Sequence, residues 1–185
     1  MGKVLIMGTG GCGSGFIWHL LEDCGLETGG KQEWMRKSGI RKAIAAGTAD
    51  SFLTPRVIKH LGGFLNNLNE HIDRHKWEVE HIFFAVASFD VQMKEIEFRR
   101  NKHHKEFDYE TEATRYRQAL GKGLIQLVER DHPFSVVRCP RSLEDPRYCY
   151  DKLKVVLGSL PYERFYEIHQ ARILPHKLPK VKYND

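Results

Sequence analysis

No stretch of this sequence is apolar for anything near the roughly 20 residues an α-helix needs to cross a bilayer, so no membrane partner is expected. Cysteine is scarce. Cys12, Cys24, Cys139 and Cys149 are the only four, none forms C-x-x-C, and their spacing to histidine fits no zinc pattern. A disulfide framework and a zinc module are set aside, no metal is expected, and the four read as reduced, partly buried thiols. Internal repeats and low-complexity tracts are lacking, as are nucleic-acid motifs and basic stripes interleaved with aromatics. The densest basic run, FRRNKHHKEF from Phe98 to Phe107, reads as a solvated helix end or loop, so nucleic acid is not an expected partner. A strand pattern begins almost at once, leaving no space for a leader, and a cytoplasmic location is the expectation.

What is present is ordinary globular material, with 41% hydrophobic and 29% charged residues in 185. That length suits a single domain with one core. The net charge of +5 suits a polyanionic ligand such as a nucleotide.

Four short apolar runs read as strands: VLIMG (Val4 to Gly8), RVIKH (Arg56 to His60), EHIFFAVA (Glu80 to Ala87) and FSVVRC (Phe134 to Cys139). Three of them alternate poorly, as strands buried on both faces do. Helical patterns lie between. Phe16, Ile17, Leu20, Leu21 and Cys24 form one stripe, which Gly25 is placed to end. Further helices are expected from Gly62 to Trp77, from Phe89 to Arg100, and along Ala113, Tyr116, Leu120, Leu124, Leu127 and Val128. A last one runs from Asp145 to Leu157 with Pro146 in its first turn. Strands alternating with helices predict an α/β domain: a mostly parallel sheet of four to five strands flanked by helices, in a three-layer arrangement like that of P-loop NTPases. Ligands of such sheets bind beyond the carboxyl ends of the strands. Residues 29–54 read as a possible lid, and HQARILPHKLPKVKYND as a tail running over the surface, extended from residue 173.

The segment GTGGCGSG after the first strand holds five glycines in eight residues, Gly8 to Gly15. Glycines let a chain curl with its N–H groups aimed at an anion, and the helix that follows adds the positive end of its dipole. Gly8 and Gly13 match the spacing of G-x-x-x-x-G-K-[ST], yet Ser14 stands at the lysine and Gly15 at the magnesium-binding hydroxyl. The loop is built for an anion without the lysine and magnesium of an orthodox ATPase, GTPase or kinase. G-x-G-x-x-G also fits Gly8, Gly10 and Gly13, but no acidic residue ends a clear second strand about 20 residues later.

With GTGGCGSGFIWHLL the chain resembles the P-loop-fold sulfotransferases, especially small microbial and phage-like members. TPRVIKHLGG looks like that family's second strand, EHIFFAVASFDVQMKEIEFRR like its third strand and helix, and HPFSVVRCPRSLEDPRYCYDKLKVVLG like its closing strand and helix. The resemblance implies a loop that cradles the 5′-phosphosulfate of PAPS (3′-phosphoadenosine-5′-phosphosulfate) and transfer of a sulfuryl group to a hydroxyl acceptor. It places cofactor contacts at Gly10, Gly11, Cys12, Gly13, Ser14, Gly15 and Phe16, with Ser88 and Arg138 at the ends of the third and fourth strands. The chain departs from the pattern at Gly11, where many members carry Lys or Arg. It departs again at Val86, Ala87 and Ser88, where an arginine meets the 3′-phosphate, and at Lys94 and Glu95, near the partner serine.

Sulfuryl transfer needs a base, in-line geometry and cationic support. By the resemblance Lys59 gives the charge, and Glu33 or His60 the base; a structural ion pair for Lys59 and packing roles for the other two remain the alternatives. Arg138 and Arg141 bracket the fourth strand's end, set either to face the anion or to pair with Glu144 or Asp145. His103 and His104 lie in a polar segment with no third ligand to make a metal site. Two other functions stay open: a nucleotide or small-molecule kinase with an atypical loop, needing magnesium and a lysine from elsewhere that neither Lys3 nor Lys31 convincingly supplies, and a non-enzymatic descendant binding a nucleotide or a partner.

Overall fold

The computed structural model describes residues 2–9, 11–28, 55–59 and 61–177. Four strands are formed: β1 (Lys3–Gly8), β2 (Val57–Lys59), β3 (Val79–Ala87) and β4 (Phe134–Cys139). They build one sheet in the order β2-β1-β3-β4, and every pairing is parallel. The chain steps from β1 to β2 in one direction and from β2 to β3 and β4 in the other. Right-handed crossovers then put the connecting helices on opposite faces.

Side-chain alternation on β1 shows the layering. Val4 and Ile6 pack with α1 (Ser14–Asp23), and Leu5 and Met7 pack with α2 (Leu61–His75); all four strand residues are fully buried. Phe83 and Phe84 of β3 divide between the two faces in the same way. Two apolar faces explain why the strands read as continuous hydrophobic runs.

Local signals set several helix ends as expected. Gly25 (φ 90°) closes α1: Leu26 N–H donates to Leu21 O at 3.0 Å and Gly25 N–H to Glu22 O at 2.9 Å, the paired bonds of a Schellman stop. Asp145 caps α6 (Pro146–Leu157), its carboxylate accepting from Tyr148 N–H at 2.9 Å, with α5 (Arg141–Glu144) just before it. Asp108 starts α4 (Tyr109–Glu129) by accepting from the Glu110 and Thr111 amides, ahead of the first apolar residue in the pattern. In α2, Asn67 departs from helical angles. The Gln126 side chain satisfies the groups freed there, accepting from Leu68 N–H at 2.5 Å and donating to Leu65 O at 2.9 Å.

Two expectations change. The stripe of α4 was expected to include Leu124 and Val128, which are 45% and 64% exposed. Leu120 and Leu127 of that stripe do face the sheet, and between them the seam runs through Gly123, where an added Cβ would lie 2.8 Å from Leu65 Cδ2 and 3.1 Å from Met7 Cε. A glycine carries no hydrophobic signal, so its helix–sheet contact escapes a periodicity count. Of the segment expected on the surface, residues 169–177 form the end of α7 (Tyr162–Lys177). Phe165 and His169 are fully buried and Ile173 is 5% exposed, while Arg172 pairs with Asp23 of α1. Residues 178–185 and the expected lid lie outside the described residues.

Histidines make stability depend on pH. Burial pushes His81 below its ordinary value of 6.5, with Glu80 pulling the other way. Burial and then Arg130 lower His132 likewise, against Asp73. Below about pH 6.5 the unfolded chain therefore binds protons that the fold refuses. Their contribution is complete above the unfolded value and is lost as pH falls through the folded values. Urea midpoints should drop between pH 7.5 and 5.5, with a smaller drop in His81→Asn. A midpoint constant across that window would contradict the burial of both rings.

Candidate functional site

The strand order reverses between β1 and β3, whose last pairing is Gly8 with Ala85. The crevice beyond those carboxyl ends is where doubly wound sheets bind ligands. The glycine loop leaves β1 at this point and runs into α1. Gly11 (φ 85°) and Gly13 (φ 79°) take left-handed angles that an L side chain resists. Gly13 is the N-cap of α1 and offers no side-chain cap, while the Ser14 backbone and hydroxyl are hydrogen-bonded to the Cys12 thiol. A Cβ on Gly13 would sit 2.8 Å from Cys139 Sγ, which brings β4 against the loop.

Lys59 ends β2, paired with Ile6 of β1. Its Nζ lies 5.7 Å from the centroid of the Trp18 ring and 3.7 Å from where a Cβ on Gly15 would be. The cation thus stands at the first turn of α1, with Gly15 opening the approach. Trp18 is 3% exposed, and its Nε1 finds no hydrogen-bond partner among the described residues. Burial raises the Cys12 thiol, against opposing pulls from Ser14 hydrogen bonds and the Lys59 charge. Cys139 is raised by burial and by Cys12. Burial also pushes Cys24 up to about 12, and Cys149 higher still. All four cysteines are free and held as thiols at neutral pH.

The opposite wall of the crevice is α3 (Phe89–Lys102). Thr9 Oγ1 donates to Oε1 of the fully buried Gln92 at 2.9 Å. A Cβ on Gly11 would overlap Glu95 Cγ and lie 3.2 Å from its carboxyl carbon. Tyr116 of α4 donates its hydroxyl to Ala87 O at 3.2 Å, and burial raises that phenol. Gln92 and Trp18 had no role in the reading from sequence, and Tyr116 entered it only as part of a helix stripe. Only Glu95 carried a signal, as a departure from the sulfotransferase pattern.

The other candidates spread out. Phe16 meets His169 of α7 edge-on at 5.4 Å. Ser88 is exposed, and its carbonyl accepts from Gln92 N–H at 3.0 Å to begin α3. Arg138 is exposed and alternates with Cys139, so it leaves β4 on the face away from the loop. Its N–H donates to the Tyr148 hydroxyl at 3.0 Å. Arg141 lies 4.3 Å from the Tyr148 ring centroid and 3.4 Å from the Asp145 carboxylate. Lys3 donates to Pro55 O at 3.3 Å at the far end of β1. Gly10, Lys31, Glu33 and His60 lie outside the described residues. Among the described residues no three metal-ligating side chains converge, and no helix is long and apolar enough to cross a membrane. No protein-family model matches the chain, and no curated protein matches it.

Proposed function

We propose that the chain is a sulfotransferase-type protein that holds PAPS or a related adenosine phosphate at the glycine loop and serves a hydroxyl acceptor. The observation that carries the reading is the placement of Lys59 Nζ beside Gly15, at the uncapped first turn of α1. Loop backbone, the N-terminal end of a helix dipole and a cation are thereby brought together. The first turn suits a phosphate group, whereas the Gly11 side is filled by Glu95.

PAPS, when bound, supplies an activated sulfuryl group. The N–H groups of the loop and of the first turn hold the 5′-phosphate, and Lys59 offsets the negative charge that grows there during transfer. Glu33 or His60, the bases suggested by the resemblance, takes the proton from the acceptor hydroxyl. A catalytically silent nucleotide-binding descendant is the second reading, favoured by the Glu95 carboxyl over Gly11.

Calorimetric titration with adenosine 3′,5′-bisphosphate in magnesium-free buffer tests the site. Wild type should bind, and Lys59→Met should weaken binding roughly tenfold through the lost charge-assisted contact. Gly13→Asp should abolish it, with circular dichroism to confirm that the variant folds. Preference for ATP with magnesium would favour the kinase, and silence with both ligands would overturn the anion site. Turnover of PAPS separates the enzyme from the silent descendant.

A further inference from the structure

We propose that a groove between α3 and the start of α4 binds a free basic amino acid, a molecule that sets one carboxylate between two cations. The groove is independent of the anion site and lies on the face of α3 turned away from the glycine loop.

Gln92 and Glu95 are the α3 residues that meet the loop, at Thr9 and Gly11. Asp90, Met93, Lys94 and Glu97 stand roughly 100° or more round the helix from both. With Phe107 and Tyr109 they line a cavity of about 340 Å³ that opens to solvent. That volume suits a small organic ligand and no larger one.

The groove has a defined order of charge. Asp90, Lys94 and Glu97 are spaced i, i+4 and i+7, so they form one row along α3 with the ammonium between the two carboxylates. Neighbours at this spacing commonly pair with each other. Here none of the three is engaged in an ion pair among the described residues, and all three are exposed. Their charges are presented to whatever enters the groove. Beneath them Met93 is 3% exposed, an adaptable apolar surface. The Tyr109 ring is held edge-on by Phe89 at 6.2 Å and by Phe107 at 6.4 Å. A fixed aromatic ring beside a carboxylate attracts an organic cation.

The row of charges selects among ligands. An anion meets two carboxylates, and a simple amine covers Lys94 without giving it a partner. An uncharged molecule strips water from all three charges without replacing its hydrogen bonds. A basic amino acid answers each in turn. Its α-ammonium pairs with Asp90 and its α-carboxylate with Lys94, while its side-chain cation reaches Glu97 and the aromatic rings and its methylenes cover Met93. Arginine suits these surroundings better than lysine, because a planar guanidinium stacks on a ring and pairs with a carboxylate through two hydrogen bonds.

The test is an amide chemical-shift titration of the full chain with L-arginine, L-citrulline and agmatine. Citrulline lacks the side-chain charge, and agmatine lacks the carboxylate. Arginine should shift the signals of residues 90–97 and 107–109, less strongly as salt rises, and each analogue should bind about tenfold more weakly. Glu97→Gln should weaken arginine about tenfold and leave citrulline unchanged, and Lys94→Met should weaken arginine and leave agmatine unchanged. The same spectra report whether each variant is folded. Equal affinity for arginine and both analogues would overturn the match of ligand to charge, as would variants that weaken all three ligands alike. If arginine leaves these signals unmoved the site is overturned, and the anion site at the glycine loop stands or falls by its own titration.

Discussion

Gly8→Ala should destabilise the fold by about 3–5 kcal/mol, combining backbone strain with overpacking. Gly8 ends β1 at φ 154°. A methyl there would lie 2.5 Å from Ala85 O and 2.6 Å from Cys12 Sγ. The oxygen belongs to the β3 backbone at the residue paired with Gly8, so it cannot retreat without opening the ladder. The thiol belongs to a fully buried side chain at the base of the loop. Urea denaturation should show a lower midpoint with unchanged slope, the sign of a weaker fold and not of a different one. Gly121→Ala is the control: nothing lies within 4 Å of its Cβ position in α4, and the gain should be about 0.5–1 kcal/mol from helix propensity. A loss under about 1 kcal/mol for Gly8→Ala would mean that β1 and β3 part before the loop begins.

Phe165→Ala should cost a comparable amount, about 3–5 kcal/mol, through lost transfer energy and the cavity left behind. Phe165 is fully buried, 5.2 Å from the Tyr150 ring and 5.9 Å from His169. It docks α7 onto the α1 face of the sheet. The consequence reaches the site, because His169 donates its Nε2–H to Ser142 O at 2.9 Å and its ring meets Phe16 in the first turn of α1. A melting temperature lower by roughly 10 °C is expected for a domain of this size, together with faster proteolysis within residues 162–177. An unchanged melting temperature would show that α7 adds nothing to the core.

Much of the fold was legible because its signals are local. Apolar runs gave the four strands, Gly25 by its backbone freedom and Asp145 by its side chain marked helix ends, and the glycine loop announced a turn into a helix. In the seam of α4 only Leu124 and Val128 were misplaced, because Gly123 packs there by lacking a side chain. The docking of α7 was missed because Phe165, His169 and Ile173 are sparse among charged residues, and their burial depends on the surface they meet.

The candidate site divides the same way. The sequence alone determined that a glycine-rich loop follows β1 and that a lysine ends the next strand. Tertiary structure decided that Lys59 stands at Gly15, that Phe16 turns to His169 and Arg138 away from the loop, and that Glu95 covers Gly11. Caps, turns and strand periodicity are written within a few residues of chain. Which carboxylate lies over which glycine is settled only when α3 packs across the carboxyl ends of β1 and β3, where distant segments share one crevice.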